Sequence, residues 1–235
     1  MITENDRICF LGDSITFGAG TTKRYFEYIA EKTGAEVHGF GIDGASTVHL
    51  FTELQRMERE VGDNFDILCV LIGTNDFNCG VPVGEFFTEK AERVVSSTDE
   101  NGEPNGYLTK KKRDFIFTDE TFCGRLNKFF AFVKDKYADK RIVMITPLHR
   151  AYAYFGLDNV QQSELYANVI GEYFEKYIEA ERRAADIWSV ELIDAYRESG
   201  LFPHAKLYFH DDKTDRLHPA AKGHFRLAET ILRRI

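Results

Sequence analysis

A serine follows directly after the first apolar run of the chain, in the stretch FLGDSITFGAG from residue 10 to residue 20. Serine is a good helix N-cap and glycine allows positive φ, so this stretch can be a plain turn into a helix. A hydroxyl at the end of a buried strand can also be a positioned nucleophile. Thr16 stands where the nucleophile elbow G-x-S-x-G has its second glycine, so the motif around Ser14 is a weak signal on its own.

A histidine near the other end of the chain has the neighbours that a general base needs. His218 lies in DDKTDRLHPAAKGH, and Pro219 after it disfavours α conformation at His218 and suits the first turn of a final helix. Asp215, three residues earlier, can accept a hydrogen bond from the imidazole, which fixes the tautomer and stabilises the imidazolium. Such a histidine can take the hydroxyl proton of Ser14.

Two further blocks supply candidate donors for an oxyanion. GTND, residues 73–76, ends an apolar run, and the side-chain amide of Asn75 can donate to the oxygen that becomes negative in a tetrahedral intermediate. In GIDGAS, Gly44 lacks a Cβ, so a substrate oxygen can approach its backbone N–H closely. Each block also has a simpler interpretation, because Asn75 can form an Asx-turn and a loop glycine needs no catalytic purpose.

The elements that would position these residues can be read from the apolar pattern. Near-continuous apolar runs predict buried parallel strands at 7–12, 35–40, 66–73, 141–146 and, more weakly, 189–196. Apolar residues at three- and four-residue spacing predict helices at roughly 22–33, 47–60, 122–138, 160–184 and 220–234. This alternation predicts an α/β fold in which helices cover both faces of a parallel sheet. The candidate residues fall at the carboxyl ends of strands, where such sheets collect their functional groups.

Composition limits the classes of protein and partner. With 235 residues, of which 43% are hydrophobic and 29% charged, the chain suits one globular domain over residues 1–235. No apolar run approaches the roughly 20 residues that span a bilayer, so we expect no membrane span. The net charge of −8 argues against nucleic acid as a partner. The basic run at 110–113 lies in a polar insertion at about 98–114, which we interpret as a solvated loop or hairpin that covers the site or decorates an edge.

The N-terminus and the cysteines bear on the cellular compartment. The first strand is predicted within about seven residues of Met1, and no basic region followed by an apolar one precedes it as in a signal peptide. The four cysteines, at positions 9, 69, 79 and 123, lack the close pairing of a metal site and are expected to be free thiols. Both observations predict a cytoplasmic protein.

Together the four blocks resemble the SGNH hydrolases, also called the GDSL family, whose pattern is Ser in GDS, Gly in a second block, Asn in GxND and His in D-x-x-H. The resemblance runs from Phe10 to the C-terminal helix. It implies a three-layer α/β/α fold with a five-stranded parallel sheet of flavodoxin-like order. It also implies a serine esterase that forms an acyl-enzyme without a cofactor or metal. In that enzyme Ser14, His218 and Asp215 form the catalytic triad, and the Ser14 N–H, Gly44 and Asn75 form the oxyanion hole.

The substrate expected from the resemblance is a small-molecule or carbohydrate ester. The stretch from Thr121 to Arg150 is similar to bacterial members assigned to carbohydrate-ester deacylation. His149 and Arg150, just past the fourth predicted strand, and Asp13, beside Ser14, are the candidate substrate-binding residues; for the pair, a solvated basic surface is the alternative. Where the family often has a small polar residue, this chain has Asp43, a carboxylate that would alter substrate preference.

Three other functions remain open from the sequence. A metal site is the first, because potential ligands lie within nine residues at His210, Asp211, Asp212, Asp215 and His218. It would leave Ser14, Gly44 and Asn75 unexplained. A non-catalytic protein that binds a glycan or small ligand on the same fold is the second. A phosphate-binding protein is the third, although GDSITFGAG lacks the lysine and the spacing of a P-loop.

Overall fold

A computed structural model describes residues 2–210 and 214–235 of the chain. The strands of the described residues are β1 (Arg7–Gly12), β2 (Glu36–Gly39), β3 (Ile67–Leu71), β4 (Phe87–Thr98), β5 (Pro104–Phe115), β6 (Arg141–Ile145), β7 (Ala153–Tyr154), β8 (Val160–Gln161) and β9 (Glu191–Ile193). The helices are α1 (Ser14–Phe17), α2 (Tyr25–Thr33), α3 (Leu50–Glu60), α4 (Thr74–Asn78), α5 (Phe122–Lys136), α6 (Phe174–Trp188), α7 (Ala195–Glu198) and α8 (Ala221–Leu232). A 3₁₀ turn at Thr47–His49 precedes α3. Within this part of the chain, no helix combines the length and the apolar character needed to cross a membrane.

Five strands form one parallel sheet in the order β2-β1-β3-β6-β9. The register places Phe10 opposite Gly39 on one side and Cys69 on the other. Every residue of β3 is buried, as expected for a central strand that is covered on both faces. Counted along the sheet strands alone, the order is 2-1-3-4-5, which is the flavodoxin-like order. The predicted α/β fold is therefore confirmed.

Helices cover both faces of this sheet. The face that carries Leu11 and Val70 packs against α3, α5 and α6, and the face that carries Phe10 and Cys69 packs against α2 and α8. On the second face the Phe10 ring stacks on Phe26 with centroids 5.4 Å apart. Burying apolar side chains on both faces is the main favourable contribution to folding, and it holds the ends of the strands in fixed relative positions.

The predicted helix at 160–184 is wrong in its first half, because α6 begins only at Phe174. The side-chain oxygen of Asn168 accepts hydrogen bonds from the backbone N–H groups of Ile170 and Glu172, and Gly171 has a φ of +83°. Such a local side-chain turn competes with helix formation. Residues 160–161 instead form β8, which pairs antiparallel with β7.

The predicted strand at 189–196 is also too long. It ends at Ile193, because Asp194 caps the short helix α7 by accepting a hydrogen bond from the backbone N–H of Arg197. The strands predicted at 35–40 and 66–73 each lose residues at both ends. The helices predicted at 22–33 and 220–234 begin later, at Tyr25 and Ala221.

The polar insertion is the second half of a long antiparallel hairpin formed by β4 and β5. Most of its side chains are exposed on both faces. At its base the Phe115 ring packs on Phe87 and on Trp188, with centroid distances of 4.7 Å to each. Trp188 ends α6 just before β9 begins, so this base lies toward the amino ends of the sheet strands.

Candidate active site

The turn after β1 holds Ser14 at the carboxyl edge of the sheet. A Cβ at Gly12 would lie 2.3 Å from the carbonyl oxygen of Leu71 and 2.4 Å from Oγ1 of Thr16, so this close approach requires glycine. Asp13 caps the helical turn α1 by accepting a hydrogen bond of 3.0 Å from the backbone N–H of Ile15. Ser14 is the first residue of this turn, so its own N–H has no intrahelical acceptor.

The loop before α8 brings His218 to Ser14. The Nε2 atom of His218 lies 2.8 Å from Oγ of Ser14, and its Nδ1 atom lies 2.8 Å from Oδ2 of Asp215. The other carboxylate oxygen of Asp215 accepts hydrogen bonds from the backbone N–H groups of Leu217 and His218. A carboxylate can only accept, so Nδ1 donates to it, and Nε2 of the neutral ring is left to accept from the Ser14 hydroxyl. This arrangement can take up the serine proton and stabilise the resulting imidazolium.

The carboxylates on either side of Ser14 have different electrostatic environments. Burial raises the pKa of Asp215, but the hydrogen bond and charge of His218 and the two backbone donors outweigh it, so this pKa lies below its usual value. Asp215 is therefore ionised at neutral pH. Asp13 is fully buried, and the loss of solvent raises its pKa to about 6.

Gly44 and Asn75 line the same cavity as Ser14 and His218. Gly44 has a φ of +73° in the turn after β2. The side-chain amide of Asn75 donates one hydrogen bond of 2.8 Å to the carbonyl of Ala45, and this fixes the direction of its second N–H. With the free N–H of Ser14, the structure thus gathers the donors that could hold an oxyanion.

A buried aspartate that the sequence analysis missed connects the loops of Gly44 and Asn75. The Asp76 carboxylate accepts hydrogen bonds of 2.8 and 2.6 Å from the backbone N–H and the hydroxyl of Thr47, and one of 3.0 Å from Arg125. Burial raises the pKa of Asp76, while the Thr47 hydrogen bonds and Arg125 oppose this. The signal was present in GTND, where the residue after Asn75 could have been considered a positioning group.

The cavity beside Ser14 has a volume of about 400 Å³. It is lined by Ser14, Ala19, Gly20, Asp43, Gly44, Asn75, Phe155, Asn159, Gln161, Asp215, Leu217 and His218. Phe155, Asn159 and Gln161 come from the hairpin of β7 and β8, and the Phe155 ring packs on the His218 ring at a centroid distance of 5.3 Å. These three residues were not predicted: no element was expected at 155–159, and Gln161 fell within the helix expected at 160–184. The stretch FGLDN at 155–159 carried the signal, since it has the residue types of a hairpin turn.

The same hairpin is joined to the segment that carries Asp215. Ala153 forms an isolated antiparallel bridge with Asp215. On either side of that bridge, the N–H of Tyr154 donates to the carbonyl of Thr214 and the N–H of Arg216 donates to the carbonyl of Tyr152. The wall of the cavity and the loop that holds Asp215 are thus connected through their main chains.

His149, Arg150 and Asp13 are the predicted site residues that do not line the cavity in the described residues. The His149 ring lies 3.7 Å from the Tyr196 ring, and its Nδ1 atom lies 2.6 Å from Glu164. Arg150 is buried beneath the β7–β8 hairpin, and Asp13 lies beneath Ser14. The other five predicted residues are brought together: Ser14, Gly44, Asn75, Asp215 and His218.

The potential metal ligands of the last loop are only partly described. Asp211 and Asp212 lie outside the described residues. Within residues 2–210 and 214–235, no three His, Cys, Asp or Glu side chains are arranged to hold a metal ion. His210 packs against Gly20, and Asp215 and His218 are engaged with each other.

Comparison with known proteins supports one family. A model of the GDSL-like lipase/acylhydrolase family matches residues 10–226. No curated protein matches the chain.

Several solved structures share the fold. A protein from Lactobacillus plantarum is 19% identical over 97% of this chain and 95% of its own, with a TM-score of 0.71. An acetyl xylan esterase from Geobacillus stearothermophilus is 16% identical over 99% and 95%, with a TM-score of 0.59. A lipase/acylhydrolase from Enterococcus faecalis is 16% identical over 97% and 94%, with a TM-score of 0.57. Because the family model covers most of the chain, the protein belongs to the GDSL-like lipase/acylhydrolase family and is a hydrolase that acts on ester bonds.

Proposed function

We propose that the protein is a serine esterase whose catalytic triad is Ser14, His218 and Asp215. The observation that carries the proposal is the chain of two 2.8 Å contacts from the serine oxygen through the imidazole to the carboxylate. The backbone donors on Asp215 support it further, because they hold the carboxylate ionised and in position.

Hydrolysis would proceed in two steps. His218 takes the hydroxyl proton as Ser14 Oγ attacks the acyl carbonyl, and the negative oxygen accepts hydrogen bonds from the N–H groups of Ser14 and Gly44 and from the amide of Asn75. The tetrahedral intermediate then collapses, and His218 passes its proton to the leaving alcohol. In the second step His218 takes a proton from water, which attacks the acyl-enzyme, and returns that proton to Ser14 Oγ as the acid is released.

The substrate class that we propose is a small-molecule or carbohydrate ester. The volume of the cavity suits a short acyl group together with a ring-sized alcohol. Its lining is mixed, with the ring of Phe155 beside the polar groups of Asp43, Asn159 and Gln161. The similarity in fold to an acetyl xylan esterase agrees with this substrate class.

A covalent probe tests the nucleophile. A fluorophosphonate should label the wild type and fail to label Ser14→Ala. Ser46→Ala is the matched control, because Ser46 is also buried and its hydroxyl lies 3.3 Å from a histidine, His49. Among the described residues, the His49 ring forms no hydrogen bond with a carboxylate. Persistent labelling of Ser14→Ala, or loss of labelling in Ser46→Ala alone, would contradict the assignment.

Turnover distinguishes the enzyme from a protein that only binds esters. The wild type should hydrolyse 4-nitrophenyl acetate, and His218→Ala should lose this activity while it keeps the wild-type melting temperature. A folded wild type with no turnover on acetyl, butyryl or longer 4-nitrophenyl esters would overturn the proposed chemistry.

A further inference from the structure

The side-chain amide of Gln161 is held in one orientation at the wall of the cavity. Its Oε1 atom accepts hydrogen bonds from Nδ2 of Asn78 at 2.6 Å and from Nη2 of Arg150 at 3.3 Å. In the opposite orientation the Gln161 NH2 group would face the two donors, Asn78 Nδ2 and Arg150 Nη2. The hydrogen bonds therefore identify which atom of the Gln161 amide is the oxygen and which is the nitrogen. The Nε2 atom of Gln161 donates to Oδ1 of Asn159 at 3.2 Å. Both residues line the cavity.

Arg150 is the buried support of this orientation. The residue is 2% exposed, and its guanidinium donates to Asn78, to Gln161 and to the backbone carbonyl of Gln162. Among the residues described, no carboxylate forms an ion pair with this guanidinium, although Glu164 accepts from the Arg150 backbone N–H. Burying a charge is costly unless its donors are used. Here Nη1 and Nη2 are used on Asn78, Gln161 and Gln162, while Nε is buried without a partner among the described residues.

The groups directed at the cavity suit an alcohol that carries several hydroxyls. One N–H of the Gln161 amide donates to the Asn159 oxygen. The second N–H of Gln161 and the NH2 group of Asn159 can therefore donate to a ligand. Asp43, exposed in the turn beside Gly44, adds an acceptor-only carboxylate to the same cavity. Donors, an acceptor and the Phe155 ring together match the hydroxyls and the apolar face of a sugar ring better than they match an alkyl chain.

We propose that Gln161 and Asn159, with Arg150 as the positioning residue behind them, form the subsite for the hydroxyls of the alcohol half of the ester. The hydrolase then prefers an ester of a sugar to an ester of the same acid with an alkyl or aryl alcohol. This proposal rests on the proposed function, because it needs the ester carbonyl to lie at Ser14 and the leaving alcohol to lie toward the β7–β8 hairpin.

The test compares two acetyl esters that differ in the alcohol. Acetylated xylotriose carries hydroxyls on its leaving group, and 4-nitrophenyl acetate carries none. Gln161→Glu keeps the oxygen that accepts from Asn78 and Arg150 but loses the NH2 group, and Gln161→Leu loses both. We expect each to lower kcat/KM on the sugar ester about 10- to 100-fold, mainly through KM, and to lower it on 4-nitrophenyl acetate by a much smaller factor.

Gln162→Glu and Gln162→Leu are the matched controls, because this neighbour is exposed and does not line the cavity beside Ser14. Both should keep wild-type kinetics on both esters. Arg150→Met should raise KM for the sugar ester in the same direction as the Gln161 variants if the guanidinium acts through Gln161. Should Arg150→Met fail to fold, the Gln161 variants still decide the proposal.

Binding separates a failed subsite from a failed esterase. In a Ser14→Ala background, calorimetry with acetylated xylotriose should show binding that Gln161→Glu weakens and Gln162→Glu does not. Equal losses on both esters, or no loss on the sugar ester, would overturn the subsite. A wild type that hydrolyses 4-nitrophenyl acetate but not the sugar ester would also overturn it and leave the esterase intact. Binding without hydrolysis of any ester would overturn the esterase and leave the subsite.

Discussion

Asp215 divides its two oxygens between different tasks. One accepts from the His218 ring, and the other accepts two backbone N–H groups that fix the carboxylate against the loop. Asp215→Asn can still accept the two backbone N–H groups. Toward the His218 ring, however, its amide presents a donor or a weaker acceptor, which favours the tautomer that carries its proton on Nε2 instead of Nδ1. We expect kcat on 4-nitrophenyl acetate to fall by about 10³- to 10⁴-fold with little change in KM.

The control for that variant is Asp135→Asn on the exposed side of α5, which should keep full activity. Thermal melting should show that both variants are folded. A drop of less than tenfold in a folded Asp215→Asn variant would mean that His218 does not depend on this carboxylate.

Asn75 is tied to Ala45, and its second N–H is the donor that we assign to the oxyanion. Asn75→Ala removes a hydrogen bond that strengthens only as charge develops on the substrate. We therefore expect kcat to fall about 10²- to 10³-fold while KM stays close to that of the wild type. Steady-state kinetics on 4-nitrophenyl acetate measures this, and a loss that appears mainly in KM would assign Asn75 to ground-state binding instead.

Glu53 lies in the core next to β1, where its Oε2 atom accepts a hydrogen bond of 2.6 Å from the backbone N–H of Gly12. Burial raises the pKa of Glu53 to about 8, although the Gly12 hydrogen bond opposes this. The folded chain therefore binds a proton more tightly than the unfolded chain does. The contribution of Glu53 to stability is fully present below its unfolded pKa and is lost as the pH rises toward and through about 8.

Glu53→Gln tests this dependence, because the amide oxygen can still accept from Gly12 but cannot ionise. The melting temperature of the wild type should fall between pH 5 and pH 9 by more than that of the variant. The variant should then be the more stable protein at pH 9. Parallel curves for the two proteins would show that folding does not raise the pKa of Glu53.

At the scale of elements, the β4–β5 hairpin is attached to the rest of the molecule mainly at its base. No residue of this hairpin is among the described residues that line the cavity at Ser14. Its cross-strand ion pairs, such as Lys112 with Glu92, are exposed and contribute little to the stability of the whole molecule.

Replacing residues 90–112 by a two-residue turn should therefore leave kcat/KM on 4-nitrophenyl acetate unchanged. Phe87 and Phe115 remain in this variant, so the packing on Trp188 is kept. The kinetics and the circular dichroism spectrum of the shortened chain test the prediction. Lost activity in a chain that still folds would mean that the hairpin reaches the site.

The errors in predicting elements have a physical cause. Leu165, Val169 and Tyr173 have helical spacing, yet the first two are 74% and 84% exposed, and the helix begins after all three. Spacing predicts a helix only where the apolar face is buried. The strands of the sheet were easier to predict, because runs such as ILCVL at 67–71 are buried on both faces and carry no alternation to misinterpret.

At the scale of the whole molecule, residues from opposite ends of the chain meet because of the sheet order. β1 lies inside the sheet between β2 and β3, and α8 packs beside α2 on the face next to it. The loop before α8 therefore crosses the end of β1, which brings His218 to Ser14. The sequence could predict this meeting, because each motif marks a strand end or a helix start and the alternation of elements fixes the edge of the sheet they share.

The sequence could not predict the wall of the cavity in the same way. The residue types at 155–159 are typical of a hairpin turn, but the position of that hairpin at the cavity depends on main-chain pairing between segments that are about 60 residues apart. Arg150 was noticed for its charge, but its partners depend on the packing of α4 beneath the β7–β8 hairpin. A local pattern can indicate a turn, but it does not indicate which distant segment that turn will pair with.

The main-chain bridge between Ala153 and Asp215 has a consequence for how the substrate range of this protein can diverge. Residues 155–159, at the tip of the hairpin, can vary during evolution without disturbing the main-chain pairing that holds Asp215. Insertions or deletions at 151–154 would shift Asp215 away from the imidazole of His218. Selection should therefore tolerate changes at 155–159 and reject changes in length at 151–154. A loop grafted onto this protein should therefore replace residues 155–159 and leave residues 151–154 unchanged.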